Sequence, residues 1–171
     1  MRLLFTHGIR ILKAAVLWSA LSLPVLAQMS AQPIYSDTAD AKADIQDALQ
    51  RAKQEHKRVI LDFGGNWCGD CHVLDIYFHD PSNLHLLNQN FELVVVNIGR
   101  YDKNVDVAKR YGIPLEKGVP ALVVLAPSGK VLYAQTHGEF EKMSHLESSD
   151  VTRFLMQWKP EMKTAAAKGG R

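Results

Sequence analysis

Residues 59–72 read VILDFGGNWCGDCH, and six of those letters, WCGDCH, satisfy two unrelated patterns. A C-x-x-C between a strand and a helix is a dithiol redox motif, whereas C-x-x-C-H is also the attachment site of a c-type haem. The apolar run from Val59 to Phe63 extends back to Arg58 as a short buried strand, and Gly64-Gly65-Asn66 breaks it. Cys68 to Asp80 then reads as a helix that stops before Pro81. This order puts Cys68 at a helix N-terminus, where unpaired N–H groups and the positive dipole end stabilise a thiolate. A thiolate is the attacking species in disulfide exchange. Cys71, one turn further in, is close enough to attack a mixed disulfide formed on Cys68, and Trp67 covers one side of the pair.

Upstream, Asp37 can cap a helix through Lys57, in which Ile45, Ala48, Leu49 and Ala52 recur at helical spacing. Its early Asp40 and Asp44 and late Lys53 and Lys57 match the helix dipole. Downstream, residues 82–90 read as a further helical turn or two. FELVVVNI (91–98) reads as a strand buried on both faces of a parallel sheet, and DKNVDVAKRYG (102–112) as a helix stopped by Gly112. PALVVLA and KVLYAQT form a hairpin across Pro127-Ser128-Gly129, and Ser149 or Asp150 caps a last helix, VTRFLMQW. The order α-β-α-β-α-β-β-α predicts an α/β fold with a central mixed sheet flanked by helices.

The ends of the chain read differently from its middle. Arg2, Arg10 and Lys13 precede the apolar run AAVLWSALSLPVLA, which ends at Ala27. Residues 1–27 are therefore expected to be a signal peptide, with retention as an anchor the alternative. The run is short against the roughly 20 apolar residues of a membrane span, and Ser19, Ser22 and Pro24 interrupt it. Residues 28–158 form the expected domain, and 159–171 a basic tail without a hydrophobic pattern. Loss of the three leader cations from a total of 20 leaves 17 against 18 acidic residues. The remaining chain is thus near neutral, and nucleic acid is not an expected partner. An exported chain with only two cysteines, both in one motif, uses them for chemistry, because so short a loop constrains the unfolded state little. No N-x-S/T acceptor or ER-retention ending occurs, which leans towards a bacterial periplasm. Nothing in the sequence sets the oligomeric state.

Haem attachment would need His72 on iron and a second axial ligand, with Met143, Met156 and Met162 as candidates. The apolar strand leading directly into the motif and the strong β component oppose it. A metal-binding or metallochaperone reading would use Cys68, Cys71 and His72 on a soft metal. His79, His85, His137 and His145 lack zinc-site spacing. DKNVD (102–106) imitates an EF-hand opening but has Val107 for the glycine and Ile113 for the twelfth-position glutamate.

VILDFGGNWCGDCH resembles the active-site strand, loop and helix of the thioredoxin family. VVVNI resembles the family's next core strand, AKRYGI the helix before the substrate loop, and GVPALVVLAPSGKVL the segment holding its cis-proline. The resemblance covers about residues 58–158 with its motifs in order. It implies a thioredoxin fold and a thiol-disulfide oxidoreductase in which Cys68 is the nucleophile and Cys71 the resolving thiol. Asp62, six residues before Cys68, matches the family's buried acid, whose pKa burial raises and which can accept the Cys71 proton. Pro120 matches the cis-proline, and the Val119 backbone would bind substrate as an added strand, beside Trp67. No cofactor beyond a redox-active Cys68–Cys71 disulfide is implied. The expected partners are protein thiols and disulfides, with a membrane dithiol as the expected electron donor.

The chain also departs from the family. Asp70 stands between the cysteines in place of proline, and its charge disfavours the Cys68 thiolate, arguing for a reductase or reducing-end isomerase over a strong oxidase. Val95 stands where many thioredoxins carry a lysine near the buried acid, so Asp62 is expected to titrate higher. Extra residues around PLEKG (114–118) lengthen the approach to Pro120, and His72 is placed at the surface as an electrostatic modulator.

Overall fold

A computed structural model of the protein describes residues 33–161 of the 171. The expected leader (1–27) and most of the expected tail (162–171) lie outside the described residues. Among the described residues no helix is long and apolar enough to cross a membrane.

Strand β1 (Arg58–Gly64) is the axis of the fold. Every residue from Val59 to Gly64 is buried, which a β-branched and aromatic run requires when both faces of its sheet are covered. On one side it pairs in parallel with β2 (Phe91–Asn97), and on the other antiparallel with β3 (Ala121–Leu125). β3 in turn pairs antiparallel with β4 (Val131–Ala134), giving a mixed sheet in the order β2-β1-β3-β4. This is the α/β thioredoxin fold the sequence predicts.

Alternate residues of β1 serve two cores, as a period of two demands. Val59, Leu61 and Phe63 join Ile45, Ala48 and Ala52 of α1 (Ala41–Glu55) with Val107 and Ala108 of α4 (Val105–Arg110). Ile60 joins Leu122, Val124 and residues of three other helices: Leu74 and Phe78 of α2 (Gly69–Phe78), Leu87 of α3 (Pro81–Asn90), and Val151 and Leu155 of α5 (Ser148–Trp158). Each fully buried side chain of this size contributes about 1.5–3 kcal/mol by leaving water. Asp62 shares the face of Ile60 by alternation, and is the one charged residue of β1's buried run.

Several boundaries differ from the sequence reading, each for a local reason. Asp40, not Asp37, caps α1 by accepting from the N–H groups of Lys42 and Ala43. Asp37 instead accepts from Lys103 Nζ at 2.8 Å and from Asn97 Nδ2 at 3.1 Å. Residues 81–90 form a full ten-residue helix, with Asp80 as cap and Pro81 at its first position, where a missing N–H costs nothing. α4 starts only at Val105, because Asn104 adopts a left-handed conformation and Asp102 folds back to accept from Arg100 N–H. Glu147 caps α5 in a reciprocal capping box with Asp150, so Asp150 is the third helical residue and not the cap. β2 is an edge strand, which leaves Leu93 and Val95 half-buried.

Because β1 and β2 run one way and β3 the other, three segments meet at one end of the sheet. These are the loop after Gly64, the loop after Asn97, and the segment before Ala121. That convergence positions the site.

Candidate active site

Cys68 is the N-cap of α2: its backbone is extended, and its Sγ accepts from Cys71 N–H at 3.1 Å. The two cysteines are joined in a disulfide, with Cα atoms 5.3 Å apart. The pair is asymmetric, Cys71 being fully buried while Cys68 keeps a small exposed edge. An incoming group therefore meets Cys68 first.

The Val119–Pro120 peptide is cis. Cys68 Sγ lies 3.5 Å from the Val119 carbonyl oxygen, so the proline loop packs directly against the exposed sulfur. Gln135 fixes the far side of this loop, donating from Nε2 to the Pro120 carbonyl at 3.0 Å and accepting from Leu122 N–H at 3.2 Å. The residues around PLEKG close into a short 3-10 turn, Leu115–Lys117, before Gly118.

Trp67 is 40 % exposed beside Cys68. Its indole N–H donates to the Gly99 carbonyl, Tyr101 packs on its ring at 5.5 Å, and the Arg100 guanidinium lies 5.8 Å from its centroid. Tyr101 does this with φ of 67°, a left-handed conformation uncommon for a non-glycine residue. An open cavity of about 480 Å³ lies between this loop, Trp67 and Asn66.

Asp62, two residues before Gly64 on β1, is 2 % exposed and shares the Tyr35 hydroxyl as a neighbour with Cys71 Sγ. Its register partners on the flanking strands are Val95 and Leu122, neither of which has a side-chain hydrogen-bond donor. Burial pushes its carboxyl up to about 7, opposed by a hydrogen bond from Tyr35 and reinforced by the charge of Asp75 on α2. Oδ2 accepts from the Tyr35 hydroxyl at 2.9 Å, while Oδ1 is buried with no hydrogen-bond partner. Such an oxygen is a rare and costly feature of a native interior.

Tyr35 is absent from the sequence reading. It precedes the first predicted helix and lies 27 residues from Asp62, so no local periodicity links the two. Its backbone is clamped to the site loop: Tyr35 N–H donates to Asn66 Oδ1 at 3.0 Å, and Asn66 Nδ2 donates back to Tyr35 O at 2.6 Å. Gly64 explains part of the double glycine. A Cβ there would stand 2.8 Å from Cys71 Sγ and closer still to the Tyr35 ring, so only glycine fits.

Asp70 is half-buried in the first turn of α2. His72 is exposed, with Nε2 2.9 Å from the Asn66 carbonyl oxygen, which turns the ring towards the loop. Among the described residues no three His, Cys, Asp or Glu side chains are grouped as a metal site. Of the candidate haem ligands, Met143 is buried in the core beneath α2, Met156 is exposed on α5, and Met162 lies outside the described residues.

A family model described as thioredoxin-like matches residues 40–127, from the cap of α1 through β3. The chain belongs to the thioredoxin-like family. This thioredoxin-like protein is similar to a disulphide isomerase from Xylella fastidiosa Temecula1, at 33 % identity and a TM-score of 0.72, covering 75 % of this chain and 98 % of that one. The C-terminal domain of Neisseria meningitidis DsbD in its reduced form shares the fold, with a TM-score of 0.50 at 20 % identity, covering 68 % of this chain and 95 % of that domain. A thiol:disulfide interchange protein DsbD from Pseudomonas fluorescens is 27 % identical over 143 residues. That match takes in 79 % of this chain but spans only 21 % of the length of that relative. With the dithiol at the head of α2, the thioredoxin-like chain is a thiol-disulfide oxidoreductase.

Proposed function

We propose that the protein is an exported dithiol reductase that transfers two electrons from Cys68 and Cys71 to a disulfide of another protein. The observation that carries this reading is the asymmetry of the pair: an accessible sulfur at a helix N-terminus against the cis-proline loop, and a buried one above Asp62. In the reduced protein, the Cys68 thiolate attacks one sulfur of the client disulfide. A Cys68–client disulfide forms, and one client thiolate leaves. Cys71 then passes its proton to Asp62 and attacks Cys68 Sγ, closing the Cys68–Cys71 disulfide and releasing the second client thiolate. A client whose own thiol displaces Cys68 first is isomerised by the same chemistry, as the name of the Xylella relative describes for that protein.

Asp70 supports the reducing direction, since a negative charge near Cys68 disfavours the thiolate and hence the reduced form's stabilisation. The Val119 backbone and Trp67 form the client-binding rim, and Asp70 and His72 are modulators. Export is supported by the basic and apolar leader pattern of residues 1–27 and by the likeness to DsbD, a thiol:disulfide interchange protein. In a bacterial periplasm a membrane dithiol would return the electrons. The metallochaperone reading has less support, because His72 is engaged with Asn66.

The test couples a redox titration with trapping. A potential of about −270 mV, that of thioredoxin, supports a reductase, whereas about −120 mV, that of DsbA, makes the protein an oxidase. In cells, Cys71→Ser should accumulate mixed disulfides through Cys68, and Cys68→Ser should accumulate none and lose turnover. An oxidase-like potential, or no trapped client, overturns the proposal.

A further inference from the structure

We propose that Tyr35 is a positioning residue for this dithiol: its hydroxyl holds Asp62 Oδ2 and leaves Oδ1 to take the Cys71 proton. The inference rests on Cys71 being the resolving thiol and Asp62 its base, and is independent of client, compartment and direction.

Three observations carry it. Tyr35 is fully buried, and its hydroxyl makes one side-chain hydrogen bond, the donation to Asp62. Burial, the Asp62 carboxylate and Asp75 all push its phenol up, so it donates and does not itself ionise. Secondly, Asp62 has no other donor among the described residues: its strand neighbours are Val95 and Leu122, and the charged group facing it from α2 is the carboxylate of Asp75. A lysine would hold such an acid by charge; here a neutral phenol does so without adding a charge.

The third observation is the lock on Tyr35 itself. Its N–H and carbonyl are both bonded to the Asn66 side chain, and Asn97 Nδ2 donates to the Ser36 carbonyl at 3.1 Å. Asn66 lies two residues before Cys68, so the segment carrying the phenol is tied to the loop carrying the nucleophile. The space over Gly64 is shared by the Tyr35 hydroxyl and Cys71 Sγ, which places the phenol beside the resolving sulfur. A carboxylate fixed at one oxygen presents the other in one orientation, and positioned proton transfer is the part of acid–base catalysis that geometry controls.

The proton balance is closed within the site. Cys71–SH and the Asp62 carboxylate become a Cys71 thiolate and a protonated Asp62. The thiolate attacks Cys68 Sγ in the mixed disulfide and expels the bound thiolate, while Tyr35 keeps its proton throughout. When the disulfide is next reduced, the proton on Asp62 returns to Cys71.

The test uses the reduced full chain and Ellman's disulfide, which needs no natural client. Reaction at Cys68 releases one chromophore in a concentration-dependent phase, and attack by Cys71 releases the second in a concentration-independent one. The hydrogen bond from Tyr35 lowers the Asp62 pKa. Tyr35→Phe should therefore move the pH midpoint of the second phase upward by about one unit, slowing it roughly fivefold at pH 7. In an Asp62→Asn background the same change should leave the second phase unaltered. A second-phase midpoint equal to wild type, or a shift that persists in the Asp62→Asn chain, overturns the proposal. Should Tyr35→Phe fail to fold, the wild-type chain decides by NMR. The Tyr35 Cζ signal should titrate with the midpoint of the Asp62 carboxyl carbon, and a signal flat across that midpoint overturns it. Loss of the second phase in wild type would instead refute Cys71 as the resolving thiol, a failure distinct from either result.

Discussion

Asn83 and Asp62 are both polar and both withdrawn from water, at 0 % and 2 % exposure, and their surroundings are opposite. Asn83 Nδ2 donates to the Tyr77 carbonyl at 2.9 Å and the Ser148 carbonyl at 3.1 Å, and its Oδ1 accepts from Thr152 Oγ1 at 2.6 Å. One side chain on α3 thereby ties α2 to the start and first turns of α5, with both ends of its amide satisfied. Asp62 has one hydrogen bond and one bare oxygen in an interior that offers nothing else. Where a buried polar group holds helices together its bonding is complete; at Asp62, the proposed proton acceptor, one position stays open.

The comparison is most sharply tested by pH. The Asp62 carboxyl lies at about 7 when folded against an ordinary 3.8, so between these values the folded chain holds a proton that the unfolded chain has released. Stability therefore falls as pH rises through that window, by roughly 4 kcal/mol from this one group. Urea unfolding of the disulfide-intact protein at pH 5 and pH 8 should show the upper part of that fall, roughly 3 kcal/mol, and Asp62→Asn should remove it. Equal pH dependence in the two chains would break the contrast. Next in size, Asp62→Asn should slow the concentration-independent release by Cys71 about a hundredfold at pH 7, read by stopped-flow absorbance.

Asn83→Ala should cost about 2 kcal/mol in urea unfolding, because it removes the amide's bonds to the Tyr77 and Ser148 carbonyls and to the Ser148 and Thr152 hydroxyls, while the pH profile of the second phase stays in place. A moved profile would mean that the α3–α5 network reaches the site. The smallest effect belongs to Thr152→Val, which removes one donor to Asn83 and should cost about 1 kcal/mol by the same measurement.

How far each of these regions was legible in the sequence depends on the distance over which its contacts act. The strand Val59–Phe63, the stop at Gly64-Gly65 and the N-terminal place of Cys68 follow from local alternation and breakers, and the structure has all three. The burial of Asp62 was legible only through the resemblance to the thioredoxin family, whose buried acid it matches. Tyr35 was illegible because its side chain meets Asp62 only after the chain has built α1 and entered β1, and Ile34-Tyr35 alone is too short to show a period. The start of α4 was misread because helical spacing of Val107 and Ala108 says nothing of the left-handed turn at Asn104. The cap of α5 slipped for a different reason: Glu147 and Asp150 cap each other reciprocally, a pairing that a search for Ser or Asp at the boundary passes over.

The clamp between Tyr35 and Asn66 also gives the molecule two unlike poles. The incoming chain is fastened at the disulfide, whereas Trp158 at the end of α5 accepts from Arg58 at the other end of β1, about 20 Å away along the strand. A tether attached ahead of residue 33 would moor the protein by its reactive pole, close to whatever surface holds it. One attached after Trp158 would hold the opposite pole and leave the sulfurs facing outward. For a thiol-disulfide oxidoreductase that meets two partners in turn, the choice of mooring decides which of the two encounters is sterically free. A handle for capturing mixed disulfides accordingly belongs at the C-terminal end.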